Sequence, residues 1–199
     1  MTQLELLAVN KSPKVEVLDR DIFYIKDLIN WGGALVDVCN DVDAWAKAMV
    51  SKSGNRREVA TSRVCHEVEV SKLVDARLGD YETAIFNAIG AGGRLCTDIN
   101  PYFWFSLDSG YSFLRYQEGH FCGEHVDHSL HTEGPARVVS AIMYPNDDYE
   151  GGEIIFPRQE ITLKPEAGSM VMFPSNWTHP HGVLEVTKGT RYAMVTWMK

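Results

Sequence analysis

The pattern of apolar and polar positions changes character near residue 93. Before it, apolar residues recur at helical spacing. Tyr81, Ile85, Ala88 and Ile89 form one stripe, which predicts a helix over Tyr81–Ala91 stopped by Gly90, Gly92 and Gly93. Asp43–Val50 (DAWAKAMV) predicts another, with Trp45, Ala48 and Met49 on one face and Asp41 or Asp43 as its N-cap. Between the two, Gly54–Arg57 reads as a turn carrying a small charge cluster, and Glu58–Glu69 as a strand.

After Gly93 the period shortens. Strand-like runs at Ser112–Tyr116, Val138–Tyr144, Gly152–Phe156, Ser169–Phe173, His181–Val186 and Arg191–Trp197 alternate with Gly, Pro, Asn and Asp. The last is the clearest: Tyr192, Met194 and Thr196 point one way, Ala193, Val195 and Trp197 the other. Short strands between turn signals predict a β sandwich or barrel with a helical layer outside it. Lys188-Gly189 reads as the hairpin turn between the last two strands. Nothing resembles a linker or a repeat, so one domain over 1–199 is expected: a helix-rich support region over 1–93 and a β core over 94–199 that carries the site.

Composition narrows the functional classes. The chain has 199 residues, enough to bury about 70% of its unfolded surface in one core. Apolar residues make up 45% and charged residues 23%, which excludes global disorder. Acidic residues number 27 against 19 basic ones, and no dense basic patch interrupts them, so nucleic acid is not an expected partner. Cys39, Cys65, Cys96 and Cys122 show neither CxxC pairing nor metal-binding spacing. No basic-then-apolar leader and no apolar run of membrane length is visible, so a reduced, cytoplasmic protein with no membrane partner is expected. No motif indicates an oligomeric state.

The chemistry is concentrated in a few residues. His125-Val126-Asp127 puts an imidazole and a carboxylate two positions apart, on one side of an extended strand. A distant third ligand would complete a facial triad, the arrangement that leaves three positions of an octahedral ferrous ion open. In THPHG both His179 and His181 offer that ligand, and spacing alone does not separate them. His128 and His131 lack the two-residue phase, and His66 and His120 stand apart. Arg191, ten residues after His181, is returned toward the metal side if the hairpin closes. An arginine in a barrel lumen is costly unless it meets an anion, and its rigid fork suits a carboxylate.

From Leu114 to Trp197 the chain resembles the ferrous-iron and 2-oxoglutarate dependent dioxygenases, most closely the prolyl 4-hydroxylase and lysyl hydroxylase branch. The resemblance rests on LRYQEGHFCGEHVD, SAIMYPNDDYEGGEIIFP and LKPEAGSMVMFPSNWTHPHGVLEVTKGTRYAMVTW, in that order. It implies a mainly β fold with flanking α-helices around a double-stranded β-helix, or jelly-roll, core. It also implies His125, Asp127 and His181 as the Fe(II) ligands, and so His181 rather than His179. Arg191 matches the residue that binds the distal carboxylate of 2-oxoglutarate. Tyr144 matches a tyrosine donating to the same carboxylate, and Tyr116 a tyrosine lining the pocket near the iron.

The implied reaction is hydroxylation of a C–H bond with release of succinate and CO2, and ascorbate as a reductant. A prolyl residue of a peptide or protein is the substrate most in keeping with the resemblance; lysyl residues, free amino acids and small metabolites are the alternatives. A non-oxygenase metal-binding jelly roll is a further one. The absence of a leader suits a bacterial or viral enzyme. One departure from the family pattern is Cys122, which stands where related sequences carry a tyrosine, with Phe121 beside it. Cys122 is expected to line the pocket rather than ligate. The N-terminal half is expected to supply substrate-binding loops, with Arg56, Arg57 and Arg63 near one flap or on an ordinary solvated face.

Overall fold

The computed structural model describes the chain apart from residues 1–7, 32, 44, 53–55, 60–61, 70–77, 107 and 129–135, and apart from the side chains of 34, 49–52, 56–59 and 78–80. Its core is a jelly roll of two facing sheets. The larger sheet runs in the order β1 (Lys14–Asp19), β2 (Ile22–Lys26), β14 (Met170–Pro174), β10 (Val139–Met143), β17 (Arg191–Met198), β8 (Ser112–Tyr116), β7 (His66–Glu69), β3 (Ala46–Lys47). The smaller runs β13 (Ile161–Leu163), β12 (Ile154–Phe156), β15 (His181–Val183), β9 (Phe121–His125), β6 (Arg63–Val64). Two ribbons accompany them: β4 (Met49–Lys52) with β5 (Arg56–Val59), and β11 (Glu150–Gly151) with β16 (Val186–Lys188).

The alternation read from the sequence divides the large sheet between two cores. Tyr192, Met194 and Met198 of β17, Val139, Ala141 and Met143 of β10, and Phe23 and Ile25 of β2 pack toward helices α1 (Ala34–Asp41) and α2 (Leu78–Ile99). Their neighbours Ala193, Val195, Ile142, Tyr144, Ile22 and Tyr24 face the smaller sheet. Strands buried on both faces read as continuous apolar runs, as MVMF and YAMV do here. Because β2 lies inside the large sheet and Tyr81, Ile85 and Ala88 of α2 pack on it, the two halves of the chain share one core.

Three local expectations need correction. Asp43–Val50 is not a helix: Ala46–Lys47 pairs with Glu67 and His66, and Met49–Lys52 pairs with Arg56–Val59. Cross-strand pairing at the sheet edge overrides the helix propensity of Ala, Lys and Met. The helix in this region is α1, just before it, whose N-cap Gly33 has φ 77° and makes no side-chain cap. The second helix does not stop at its glycines but runs to Ile99. A Cβ on Gly92 would collide with Met170 and Ile25, and one on Gly93 with Phe105, so these glycines bring the helix close to the sheet.

The third correction concerns Lys188-Gly189. β16 pairs with β11, and β17 with β8 and β10, so the turn connects separate sheets and closes no hairpin. Arg191 reaches the lumen because it starts a strand of the opposing sheet. Glu58–Glu69 is likewise divided, into β5, β6 and β7, with residues 60 and 61 outside the described residues. The Gly54 turn also lies outside them.

Candidate metal centre and carboxylate pocket

β9 and β15 place the first two polar groups. His125 ends β9 and is the register partner of His181, which begins β15. The two rings lie 4.4 Å apart between centroids. Asp127 falls beyond the end of β9, in a bend, so the HxD pair converges through the chain's turn after the strand and not through strand alternation. Its Oδ1 is 3.4 Å from His125 Nε2 and its Oδ2 is 3.5 Å from His181 Nε2. All three ligand atoms fall within 4.8 Å of one another.

Partners behind the triad orient it. His125 Nδ1 lies 3.0 Å from the Gly123 carbonyl and His181 Nδ1 3.3 Å from that of His179. Donation from each Nδ1 to a carbonyl turns each Nε2 toward Asp127, the tautomer a metal ion needs. Ser140 donates to Asp127 Oδ2 at 2.7 Å and is itself 2.8 Å from the buried Ser175 hydroxyl. Burial alone would push the Asp127 carboxyl up, but His181, His125 and Ser140 hold it well below the usual carboxylate range. Burial takes His181 down to about 4, opposed by Asp127, so it is a neutral imidazole at neutral pH. This donor set, two imidazole nitrogens and an ionised carboxylate on one side, fits ferrous iron.

A second polar centre lies along the same lumen. Ser140 and Ile142 share one face of β10, and Tyr144, just past its end, lies about 13 Å from Ser140 at the usual strand rise. Beside it, β17 contributes Trp197, Val195, Ala193 and finally Arg191. Arg191 is 1% exposed, and none of its three guanidinium nitrogens has a hydrogen-bond partner among the described residues. Its carbon sits 4.9 Å from the Tyr116 ring and 5.3 Å from the Tyr144 ring, and the hydroxyls of Tyr144 and Tyr149 are also buried and unpartnered. Gly152, at φ +67°, makes room here: a Cβ would stand 2.9 Å from Arg191 Cδ. A buried cation ringed by hydroxyl donors has the chemistry to hold a carboxylate.

The structure therefore brings His125, Asp127, His181, Tyr116 and Arg191 to one pocket, with Tyr144 against Arg191. It keeps His179 away: its Nε2 faces the Arg20 carbonyl at 3.1 Å and its Nδ1 the Thr178 hydroxyl at 2.7 Å. Cys122 lines the pocket, its sulfur 3.7 Å from His125 Nδ1. His128 bonds the Arg137 carbonyl, and His131 lies outside the described residues. Trp177 is 67% exposed, whereas Trp197 packs against the core cluster and lines the pocket under Arg137. Sequence reasoning passed over Ser140, Ser175 and Tyr149. Ser140 was accessible, since it shares the period-2 face of Tyr144.

The jelly roll closes, in one lumen, a buried arginine and a His-Asp-His cluster that could hold a metal ion. Residues 111–199 match the model of the 2OG-Fe(II) oxygenase superfamily. The chain is 46% identical over 66 residues to human prolyl 3-hydroxylase 2, a match covering 31% of this chain and 9% of that protein. It is 36% identical over 134 residues to a PKHD-type hydroxylase of Alteromonas mediterranea, covering 63% of this chain and 57% of that one. The chain thus matches about a tenth of the first relative and little over half of the second. In fold it is similar to a prolyl hydroxylase from Trichoplax adhaerens solved with a hypoxia-inducible-factor peptide fragment. There the TM-score is 0.62 at 15% identity, over 82% of this chain and 74% of that one. Among the described residues no helix is long and apolar enough to cross a membrane.

Proposed function

We propose that this chain is an Fe(II)- and 2-oxoglutarate-dependent dioxygenase that hydroxylates a C–H bond, with release of succinate and CO2. The observation that carries this reading is the pairing of the His125–Asp127–His181 cluster with Arg191, a buried guanidinium with no hydrogen-bond partner among the described residues, in one cavity. Bound iron would supply the redox chemistry that couples oxygen reduction to 2-oxoglutarate decarboxylation and substrate hydroxylation. Ascorbate is the reductant we assign for keeping it ferrous.

The chain's own residues bind and orient. His125, Asp127 and His181 hold the metal on one face. Arg191 takes the distal carboxylate of 2-oxoglutarate, with Tyr144 donating to the same group and Tyr116 walling the metal side. Leu114, Ile142, Val183, Ala193 and Val195 supply apolar walls that keep water from the charged groups. His125 is the open side of the cluster, with its side chain 40% exposed against 4% for His181, and a substrate approaches there. The relatives and the peptide-bound neighbour favour a prolyl residue of a peptide or protein as the substrate, with the whole chain acting as one domain.

The test is oxygen-dependent conversion of 2-oxoglutarate to succinate by anaerobically iron-loaded protein, with and without a pool of prolyl peptides, followed by mass analysis for a gain of one oxygen. Peptide-stimulated succinate and a hydroxylated prolyl residue are expected. A protein that binds neither iron nor 2-oxoglutarate would overturn the reading.

A further inference from the structure

A second guanidinium enters the same cavity. Arg63, on β6 at the edge of the smaller sheet, is the register partner of Cys122 on β9. It lines the pocket beside Tyr116, Cys122, His125 and Asp127, with its side chain 19% exposed. Its Nε is buried and has no hydrogen-bond partner among the described residues. One terminal nitrogen is 3.5 Å from a Glu67 carboxylate that is 30% exposed. A strong charge-assisted bond of this kind is about 2.7–2.9 Å long, so Glu67 is a loose counter-ion on the water side. The other groups acting on Arg63 are the Tyr116 hydroxyl and the thiols of Cys65 and Cys122, and burial pushes Tyr116 and Cys65 up, toward their neutral forms.

Arg63 and Arg191 come from opposite sheets, and both act on Tyr116. A cavity needs one arginine to hold one end of a dicarboxylate. A second one lining the same pocket, mostly desolvated and with a buried Nε that finds no hydrogen-bond partner among the described residues, is costly unless another anionic oxygen arrives. The net charge of the chain does not decide this, because the field at the site is set by the groups that line it.

We infer that Arg63 is a second carboxylate-binding position of this pocket, taking an acidic group next to the metal cluster while Arg191 takes the distal carboxylate. The inference rests on the proposed 2-oxoglutarate function. Its ligand is a carboxylate oxygen, from an acidic residue of the substrate or from the metal-side end of the 2-oxo acid, and the experiment separates these sources.

The Mn(II)-loaded protein is titrated calorimetrically with 2-oxoglutarate. With 2-oxoglutarate present, it is then titrated with acetyl-Gly-Pro-Asp-amide and acetyl-Gly-Pro-Asn-amide. Wild type is compared with Arg63→Gln, Arg63→Lys and Glu67→Gln. If the carboxylate comes from the substrate, wild type prefers the Asp peptide and Arg63→Gln removes that preference, about tenfold for a lost hydrogen bond to a charged group. If it comes from the 2-oxo acid, Arg63→Gln weakens 2-oxoglutarate by a similar factor. Arg63→Lys retains part of either effect. Glu67→Gln, which leaves the pocket lining intact, shifts the same affinity in the tightening direction, so the inference is testable even if Arg63→Gln fails to fold. Unchanged 2-oxoglutarate affinity in all variants, with no Asp-over-Asn preference that depends on Arg63, would overturn it. Failure of the 2-oxoglutarate function itself is recognised separately, as absence of 2-oxoglutarate binding in wild type.

Discussion

His125 and His181 are register partners on neighbouring antiparallel strands, so backbone hydrogen bonding between β9 and β15 sets the distance between two of the three candidate ligands. His179, two residues earlier, would share a face with His181 if the strand continued, but β15 begins at His181, directly after Pro180. His179 turns instead to Arg20 and Thr178. Equilibrium binding of Fe(II) or Co(II) is therefore expected to be lost in His181→Ala and retained in His179→Ala. Loss of about 1 kcal/mol of stability is expected for the latter, from its two broken hydrogen bonds. Metal binding that survives His181→Ala would remove that residue from the cluster.

The same register makes Gly182 sensitive. A Cβ at this position would stand 2.8 Å from the Cys122 carbonyl oxygen and 3.4 Å from the Glu124 nitrogen, both backbone atoms of the paired strand. Neither can move aside without separating β15 from β9. Gly182→Ala is expected to cost about 1–3 kcal/mol, the usual scale of overpacking, and to weaken metal binding because His181 moves with its strand. Denaturant unfolding and metal titration of the same variant check both. Normal stability together with normal metal affinity would show that the pairing at this point is slack.

Much of the fold was legible from residue pattern, and the exceptions have local physical causes. The alternation of β17 and β10 is unambiguous because both faces of the large sheet are buried, one by helices and one by the smaller sheet. Helix α1 was illegible because Gly33 caps it without a side-chain signal. Ala46–Lys52 looked helical because its neighbours in β7 and β5, which make it extended, are distant from any sequence window. The glycines of α2 looked like a stop because their role, close approach to Met170 and Phe105, is tertiary. In the site, residue types and spacing picked out His125, Asp127 and Arg191 but left His179 and His181 open, and only the family resemblance pointed to His181, Tyr144 and Tyr116. Neither revealed Ser140 and Tyr149, which matter only through what they face. Nor did they settle whether Arg63 points outward or into the cavity, since strand β6 is too short for a pattern.

Ser140 is expected to position Asp127. It donates to Oδ2 at 2.7 Å, so the oxygen facing His181 is fixed in direction. Removing a partner behind a metal ligand costs about 10–100-fold in metal affinity. Ser140→Ala is expected to fall in that range. Ser175→Ala, one hydrogen bond further away, should lose less. Competition titration against a chelator measures both. Equal loss in the two variants would point to a packing defect and not to orientation of the carboxylate.

Two buried thiols report on the integrity of the helical core. Cys39 is 1% exposed and Cys96 is fully buried, and burial pushes both up to about 12. At pH 8 about one molecule in ten thousand carries either thiolate, which is the reactive form. Both cysteines are expected to resist iodoacetamide at pH 8 in native buffer and to react fully in denaturant, as read by mass spectrometry. Rapid native alkylation of Cys96 would mean that α2 separates from the large sheet.

Arg191 links function to stability in opposite directions. Among the described residues its three guanidinium nitrogens are buried without hydrogen-bond partners, as are the hydroxyls of Tyr144 and Tyr149. A charged group left unsatisfied in the interior costs folding free energy, by about 1–3 kcal/mol or more. Arg191→Met keeps the volume and removes the charge, so the ligand-free variant is expected to be more stable than wild type by an amount of that order. Added 2-oxoglutarate should raise the melting temperature of the metal-loaded wild type, since a ligand that binds only the folded state stabilises it. It should leave Arg191→Met unmoved. Differential scanning fluorimetry with and without 2-oxoglutarate separates the effects. If the variant is less stable and still responds to 2-oxoglutarate, Arg191 serves the fold rather than the carboxylate.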